Sequence, residues 1–184
     1  LDELVRAGQI RYFGWSNYDA EMIAENARLS EALGLNRAIS LQNNYNMLAR
    51  GTERRENPRC VQEGLGLIPY SPLAQGLLSE KYLAGSAPEG SRAAGNENLQ
   101  KRLDEHLPTL KALAEFAHAR ELSLSQLALA WLLHQPPMTA PIIGASRPEQ
   151  VKENAKASGV TLSAEDLAQI ETILTGAKAQ EPRG

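Results

Sequence analysis

Ile68-Pro69-Tyr70-Ser71-Pro72-Leu73-Ala74-Gln75-Gly76-Leu77-Leu78 is the stretch from which the rest of the chain can be read. The apolar run Leu65 to Ile68 leads into it and stops in a polar, glycine-bearing turn with Tyr70 at its lip. Pro69 and Pro72 restrict the backbone on either side of Tyr70, and Gly76 lets a ligand approach the main chain closely. A tyrosine is a stiff apolar plate with one polar tip, suited to stacking on a flat ring. The pattern is that of a buried strand that ends at the mouth of a ligand site.

Working outward, strands are predicted to begin near residues 10, 38, 65 and 141, each followed by a helix. Ile10 to Ser16 is rich in Tyr, Phe and Trp, and Ile10, Tyr12, Gly14 and Ser16 share one face. Asp19 is placed to cap a helix running to about Leu33, which Gly34 closes. In Ala38 to Gln42 the small or polar residues Ala38, Ser40 and Gln42 fall on one face, with Ile39 and Leu41 on the other. Arg50 to Gly64 reads as a polar connector and short helix, Leu65 to Tyr70 as the third strand, and Leu77 to Leu83 as a helical turn. The glycine- and proline-bearing stretch 84–98 reads as a mobile surface loop. A helix from Asn98 to about Glu121 carries Pro108, a place for a bend. Leu127 to Leu133 is apolar nearly all round, which predicts a buried helix stopped by Pro136-Pro137. Ile142 to Ala145 reads as a short strand, and Pro148 as an early residue of a helix to about Ala157. Ser163 and Asp166 form a capping pair for a last helix to about Thr175, before a polar tail, 177–184. This alternation means a parallel sheet: a single α/β domain over 1–184, four parallel strands with helices outside.

A chain of 184 residues can bury one sizeable core. A net charge of −3 and a pI near 5.7 leave no basic excess for nucleic acid or an anionic membrane surface. No apolar stretch reaches the roughly 18 residues that a membrane helix needs, and no signal-peptide pattern is present. Cys60, the one cysteine, excludes an intramolecular disulfide and suits a reducing, cytoplasmic setting. His106, His118 and His134 fall on or beside predicted helices and read as ordinary helix residues, without a metal-ligand cluster. Leu1 is not a methionine, and Leu1 to Ala7 reads as the tail of a helix ended by Gly8, so a longer protein is expected.

Tyr70 to Leu77 resembles the seventh-strand motif of the aldo-keto reductases. Gly14-Trp15-Ser16-Asn17 resembles the fifth-strand Gly-x-Ser-Asn of that family, and Gln42-Asn43-Asn44-Tyr45-Asn46 its sixth-strand Gln-x-x-Tyr. Ile142 to Gln150, followed by Glu153-Asn154, resembles its eighth-strand adenosine-binding segment. The resemblance implies the C-terminal half of a TIM (β/α)8 barrel, strands five to eight, in an NADP(H)-dependent oxidoreductase that reduces aldehydes and ketones by hydride transfer. It assigns Ser16, Asn17 and Gln42 to the nicotinamide carboxamide and Tyr70 to the ring face. It assigns Ser71, Pro72, Leu73, Ala74, Gln75 and Gly76 to the pyrophosphate, with Lys81 and Arg92 closing over it. Ser146 and Arg147 fall to the 2′-phosphate, which argues for NADP over NAD, and Gln150 and Asn154 to the adenine, with Gly144 and Glu153 beside them in the same cofactor-binding segment. The residue types suit these roles. Hydroxyl and amide groups match a carboxamide, and a helix N-terminus with an arginine fork suits a phosphate. Plainer uses are Ser16 and Asn17 as helix caps, Gln42 as a core amide, and Lys81, Arg92 and Glu153 as solvated charges.

The family's catalytic Asp, Tyr, Lys and His come from its first four strands, and no match to those motifs occurs here. Tyr45 has no Lys–Asp partners in the sequence around it. No catalytic residue is assigned, and the chain alone is expected to be inactive. The expected partners are NADPH and a small carbonyl substrate. The missing N-terminal half, or another copy of the chain across open sheet edges, joins them. The alternatives are a nucleotide-sensing regulatory subunit of a membrane channel, an inert truncated fragment, and another barrel enzyme with only a phosphate site.

Overall fold

The computed structural model describes residues 1–86 and 94–176. Two compact units result: Leu1–Pro72 with Leu133–Ile143, and Leu73–Leu132 with the residues from Gly144 onward.

The first unit holds α1 (Asp2–Arg6), β1 (Gly14–Ser16), α2 (Ala20–Leu33), β2 (Ser40–Gln42), α3 (Glu56–Glu63) and β3 (Gly66–Leu67). The strands form a parallel sheet in the order β1-β2-β3. Gly14, Ser40 and Gly66 lie abreast, as do Trp15, Leu41 and Leu67. The caps expected of α2 are present: Asp19 Oδ1 accepts from the Met22 N–H at 2.8 Å, and Gly34 closes the helix at φ 61°. Leu41, Leu67 and Cys60 are fully buried and Ile23 nearly so, whereas Ser40 and Gln42 are half-buried. The predicted split of β2 into an apolar and a polar face therefore holds from Leu41 onward, although Ile39 at its entry stays 48% exposed.

The expected fourth strand, Ile142 to Ala145, does not form as a strand. Pairing on the far side of β3 is confined to parallel bridges between Leu67 and Met138 and between Tyr70 and Ile142. Pro69, Pro137 and Pro141 have no N–H to give. What remains are Leu67 N to Pro137 O at 3.0 Å, Thr139 N to Leu67 O at 2.9 Å and Ile142 N to Pro69 O at 2.8 Å. β3 ends at Leu67, short of the predicted Tyr70. Beyond it, Tyr70 N still donates to Asn43 O at 3.1 Å. β1 begins at Gly14, not Ile10; only Phe13 O extends its pairing, by accepting from Ile39 N at 3.0 Å.

The second unit holds α4 (Glu97–His118), most of α5 (Leu124–Leu133), α6 (Pro148–Ala155) and α7 (Ala164–Gly176). α4 starts at Glu97, inside the stretch expected to be loop, because Asn96 Oδ1 caps it by accepting from Leu99 N at 3.1 Å. It runs through Pro108 without ending. α5 buries Leu124 and Gln126 to Leu132, as its apolar composition requires. The Ser163–Asp166 pair opens α7 as expected, with Ser163 N donating to Asp166 Oδ2 at 2.9 Å and Asp166 N to Ser163 Oγ at 3.1 Å. Residues 87–93 of the predicted mobile loop and the tail, 177–184, lie outside the described residues. Among the described residues no helix is long and apolar enough to cross a membrane, and no group of His, Cys, Asp and Glu could hold a metal.

Candidate functional site

In the first unit three strand ends deliver Ser16, Asn17, Gln42 and Tyr70 into one hydrogen-bonded set. Ser16 Oγ donates to the Gln42 carbonyl at 3.2 Å, and the Asn17 N–H reaches the same oxygen at 3.0 Å. Asn17 Nδ2 donates to Ser16 Oγ at 3.1 Å, and the Tyr70 hydroxyl donates to Asn17 Oδ1 at 3.0 Å. Bonding at the hydroxyl anchors the far tip of the Tyr70 ring. Ser16 and Asn17 are not spent as helix caps, since Asp19 caps α2. Among the described residues no hydrogen bond is recorded for the Gln42 carboxamide, which is half-buried with a donor and an acceptor to offer.

Behind this set stand buried amides that sequence reasoning did not single out. Asn43 is 7% exposed and Asn46 1%. Asn43 Nδ2 donates to Tyr18 O at 3.1 Å, and Asn46 Nδ2 to Ser71 O at 2.9 Å. The signal was three asparagines in five residues directly after a strand, where unbonded amides would be costly to bury. Tyr45 is fully buried. Its hydroxyl donates to Glu53 Oε1 at 2.7 Å, and Arg50 Nε holds that same oxygen at 2.8 Å. These bonds tie Tyr45 to the connector that follows β2.

The backbone is unusual where the candidate residues lie. Among the described residues the non-glycine positions with positive φ are Asn17, Ser71, Ala74, Gln75 and Glu121. All but the last were expected to touch cofactor. Such torsions cost of order 1 kcal/mol each and persist only when their surroundings impose them. In the second unit Ala74 (φ 48°), Gln75 (φ 60°) and Gly76 (φ 97°) follow one another. Successive amides of this kind make a concavity suited to an anion. Two of the expected backbone donors drop out: Pro72 has no N–H, and Gly76 N donates to Leu73 O at 2.8 Å. Lys81 lies against this turn. A Cβ at Gly76 would come within 3.1 Å of Lys81 Cε and Nζ, and the ammonium is 4.8 Å from the Tyr82 ring centroid. Arg92 lies outside the described residues.

Gly144, Ser146 and Arg147 are exposed ahead of α6, with Arg147 at its cap and Pro148 in its first turn. Gln150 Oε1 accepts from Ser146 N at 2.8 Å, Ser146 Oγ at 3.2 Å and Arg147 N at 3.2 Å. The amides expected to meet a phosphate are thus covered by this helix's own glutamine. Glu153 is tied rather than simply solvated: its Oε1 accepts from Lys156 at 2.7 Å, and its backbone O from Gln126 Nε2 at 3.2 Å. Asn154 is half-buried. Cys60 is fully buried. Burial first, then the nearby Glu56 charge, push its thiol up to about 11, which disfavours the thiolate. His118 Nε2 sits 2.8 Å from Glu80 Oε1 in a structural contact.

Residues 1–175 match the profile of the Aldo/keto reductase family. The chain is 37% identical over 179 residues to the L-glyceraldehyde 3-phosphate reductase of Escherichia coli O157:H7, covering 93% of this chain and 51% of that protein. It is 32% identical over 181 residues to Aldo-keto reductase dtxS3 of Metarhizium robertsii, covering 98% and 48%. To the probable voltage-gated potassium channel subunit beta of Arabidopsis thaliana it is 36% identical over 172 residues, covering 87% and 52%. The chain spans about half the length of the curated relatives it matches.

Proposed function

The chain belongs to the aldo/keto reductase family, and from that premise we propose that it is the C-terminal, cofactor-binding half of an NADP(H)-dependent aldehyde and ketone reductase, the second half of a (β/α)8 barrel. The observation that carries this reading is the hydrogen-bonded set of Ser16, Asn17, Gln42 and Tyr70 at successive strand ends. The donor chemistry fits a nicotinamide: the Gln42 carboxamide and the Ser16 hydroxyl offer both donors and acceptors to a ring amide. Tyr70, held by Asn17, is the plate against one ring face and leaves the other for reaction. When bound, NADPH supplies the hydride that a carbonyl carbon accepts.

For the phosphates, the left-handed turn at Ala74 and Gln75 offers its amides, with Lys81 adjacent. Arg147 offers a planar fork to a 2′-phosphate, the feature that separates NADP from NAD. A phosphate arriving there displaces Gln150 Oε1 from the amides of Ser146 and Arg147, and so frees Gln150 to face the adenine. No proton donor is assigned to the chain in this reading: among the described residues Tyr45 is bonded to Glu53 and His118 to Glu80. The acid and its Lys, Asp and His companions belong to the other half of the barrel, so this chain alone reduces no carbonyl. The relative named for L-glyceraldehyde 3-phosphate makes a small phosphorylated aldehyde the first substrate to offer the complete enzyme. The similarity to a potassium channel subunit beta supports a second reading, a nucleotide-sensing subunit without turnover. Co-purification with a channel's cytoplasmic domain would favour it.

The test is a fluorescence titration with NADPH. Measurable binding is expected, weakened by about 1–3 kcal/mol in Tyr70→Ala, the usual size of a lost stacking contact. Arg147→Ala should lose the preference for NADPH over NADH. Both variants binding as the parent does would sink the reading, and aldehyde-dependent NADPH oxidation by the pure chain would overturn the division of labour.

A further inference from the structure

We propose that Asn46 is a positioning residue for the nicotinamide end of the site, acting through Ser71 on Tyr70; the inference deepens the cofactor reading above and rests on it. Asn46 is 1% exposed and sits in a tight turn, its N–H and carbonyl exchanged with those of Ala49 at 3.3 and 3.0 Å. Its side-chain oxygen accepts from Leu48 N at 2.9 Å, which anchors the carboxamide within its own loop. Its Nδ2 then reaches across to the Ser71 carbonyl at 2.9 Å, with a longer contact to Asn44 Oδ1 at 3.4 Å.

What that bond holds is the Ser71–Pro72 peptide, the second peptide after Tyr70. Tyr70 N donates to Asn43 O at 3.1 Å, so the ring-bearing residue is gripped from before by the exit of β2. Ser71 adopts φ 54°, a torsion that a serine leaves unless something fixes it. Asn46 is the side chain whose bond fixes the Ser71 carbonyl. A buried asparagine is a poor choice where packing alone is needed, because each end must find a partner. Both ends of Asn46 do. Without the donor, Ser71 relaxes toward ordinary torsions, and the Tyr70 plate turns with it and pulls away from Asn17 Oδ1. Asn46 touches no cofactor atom in this account; it aims the residue that does.

Two variants test the inference. Asn46→Ala removes the side-chain bonds to Leu48 N, Ser71 O and Asn44 Oδ1. Asn46→Asp keeps the size and the acceptor for Leu48 N but turns an oxygen toward the Ser71 carbonyl. NADPH and 2′,5′-ADP, which lacks the nicotinamide, are titrated against each folded protein, with circular dichroism as the check on folding. The expected result is about a fivefold loss of NADPH affinity in both variants, the size of one neutral hydrogen bond, with 2′,5′-ADP bound as by the parent. Unchanged NADPH affinity overturns the inference. So does an equal loss for both ligands, or a chain that folds with neither substitution, since each makes Asn46 a merely structural residue. A parent chain that binds 2′,5′-ADP but gains nothing from the nicotinamide removes the cofactor reading itself, and the inference with it.

Discussion

Asp166 illustrates how much a single side chain can hold. Its carboxylate accepts from Ser163 N and Oγ, both at 2.9 Å, and from Arg120 Nε and Nη2 at 2.8 and 2.5 Å. The Ser163 backbone N–H foremost, then the Arg120 guanidinium, keep its pKa below the ordinary carboxylate range. With the folded value depressed below an unfolded value of about 3.9, its stabilisation is present above that pH and is lost as pH falls through the folded value. The melting temperature of Asp166→Asn should therefore lie below that of the parent at pH 6, and the gap should close below about pH 4. A gap that stays constant from pH 6 to pH 3 would contradict this. Asp166 was legible as a cap from its spacing to Ser163, whereas Arg120, 46 positions away, was not. The left-handed torsions of Asn17, Ser71, Ala74 and Gln75 were equally hidden, because neighbours distant in sequence impose them. They mark the candidate site more sharply than residue type does.

The helices were legible and the strands only in outline. Asp19, Gly34, Pro148 and Ser163 announced helix ends because capping is local chemistry, satisfied within a few residues. Strand length depends on which neighbour donates to which carbonyl, and prolines at 69, 137 and 141 cut a ladder that apolar patterning could not delimit. Gln150 was read for the adenine and is found on the helix cap, the use that its spacing from Ser146 and Arg147 permits. Between β1 and β2 the fit is close: a Cβ at Gly14 would fall 2.2 Å from Ser40 Oγ and 2.8 Å from the Ser40 backbone O. The hydroxyl can rotate away but the carbonyl cannot. Gly14→Ala is therefore expected to cost about 1–3 kcal/mol by overpacking, read as a lower denaturant midpoint with unchanged slope. A shift below about 0.5 kcal/mol would mean that the strands part more easily than their register suggests.

Parallel sheets ordinarily have both faces covered. Here Leu41 and Leu67 are buried on one face of the sheet, while the other carries Gly14, Ser40, Gln42 and Gly66, small or polar and no better than half-buried. That asymmetry was readable in Ala38 to Gln42, and the parallel pairing was readable from the alternation of strands with helices. What the pattern could not give was how the sheet ends. Among the described residues β1 pairs only with β2, so the outer backbone groups of Gly14 and Ser16 are free to accept another strand. Tyr12, two residues ahead of β1, is 70% exposed and adds apolar surface at that edge, where natural proteins commonly place a lysine to discourage pairing. In our reading of the chain as half of a barrel, this edge takes the other half, and a second copy in its absence. Sedimentation velocity over a range of concentrations should therefore show the average mass rising with concentration for the parent chain. Tyr12→Lys, which puts a like charge on each of two approaching edges without touching the residues of the nicotinamide site, should move the distribution toward monomer and leave NADPH affinity unchanged. A parent chain that is monomeric at every concentration would dispose of edge pairing. Association unaffected by the lysine would place the contact elsewhere on the surface.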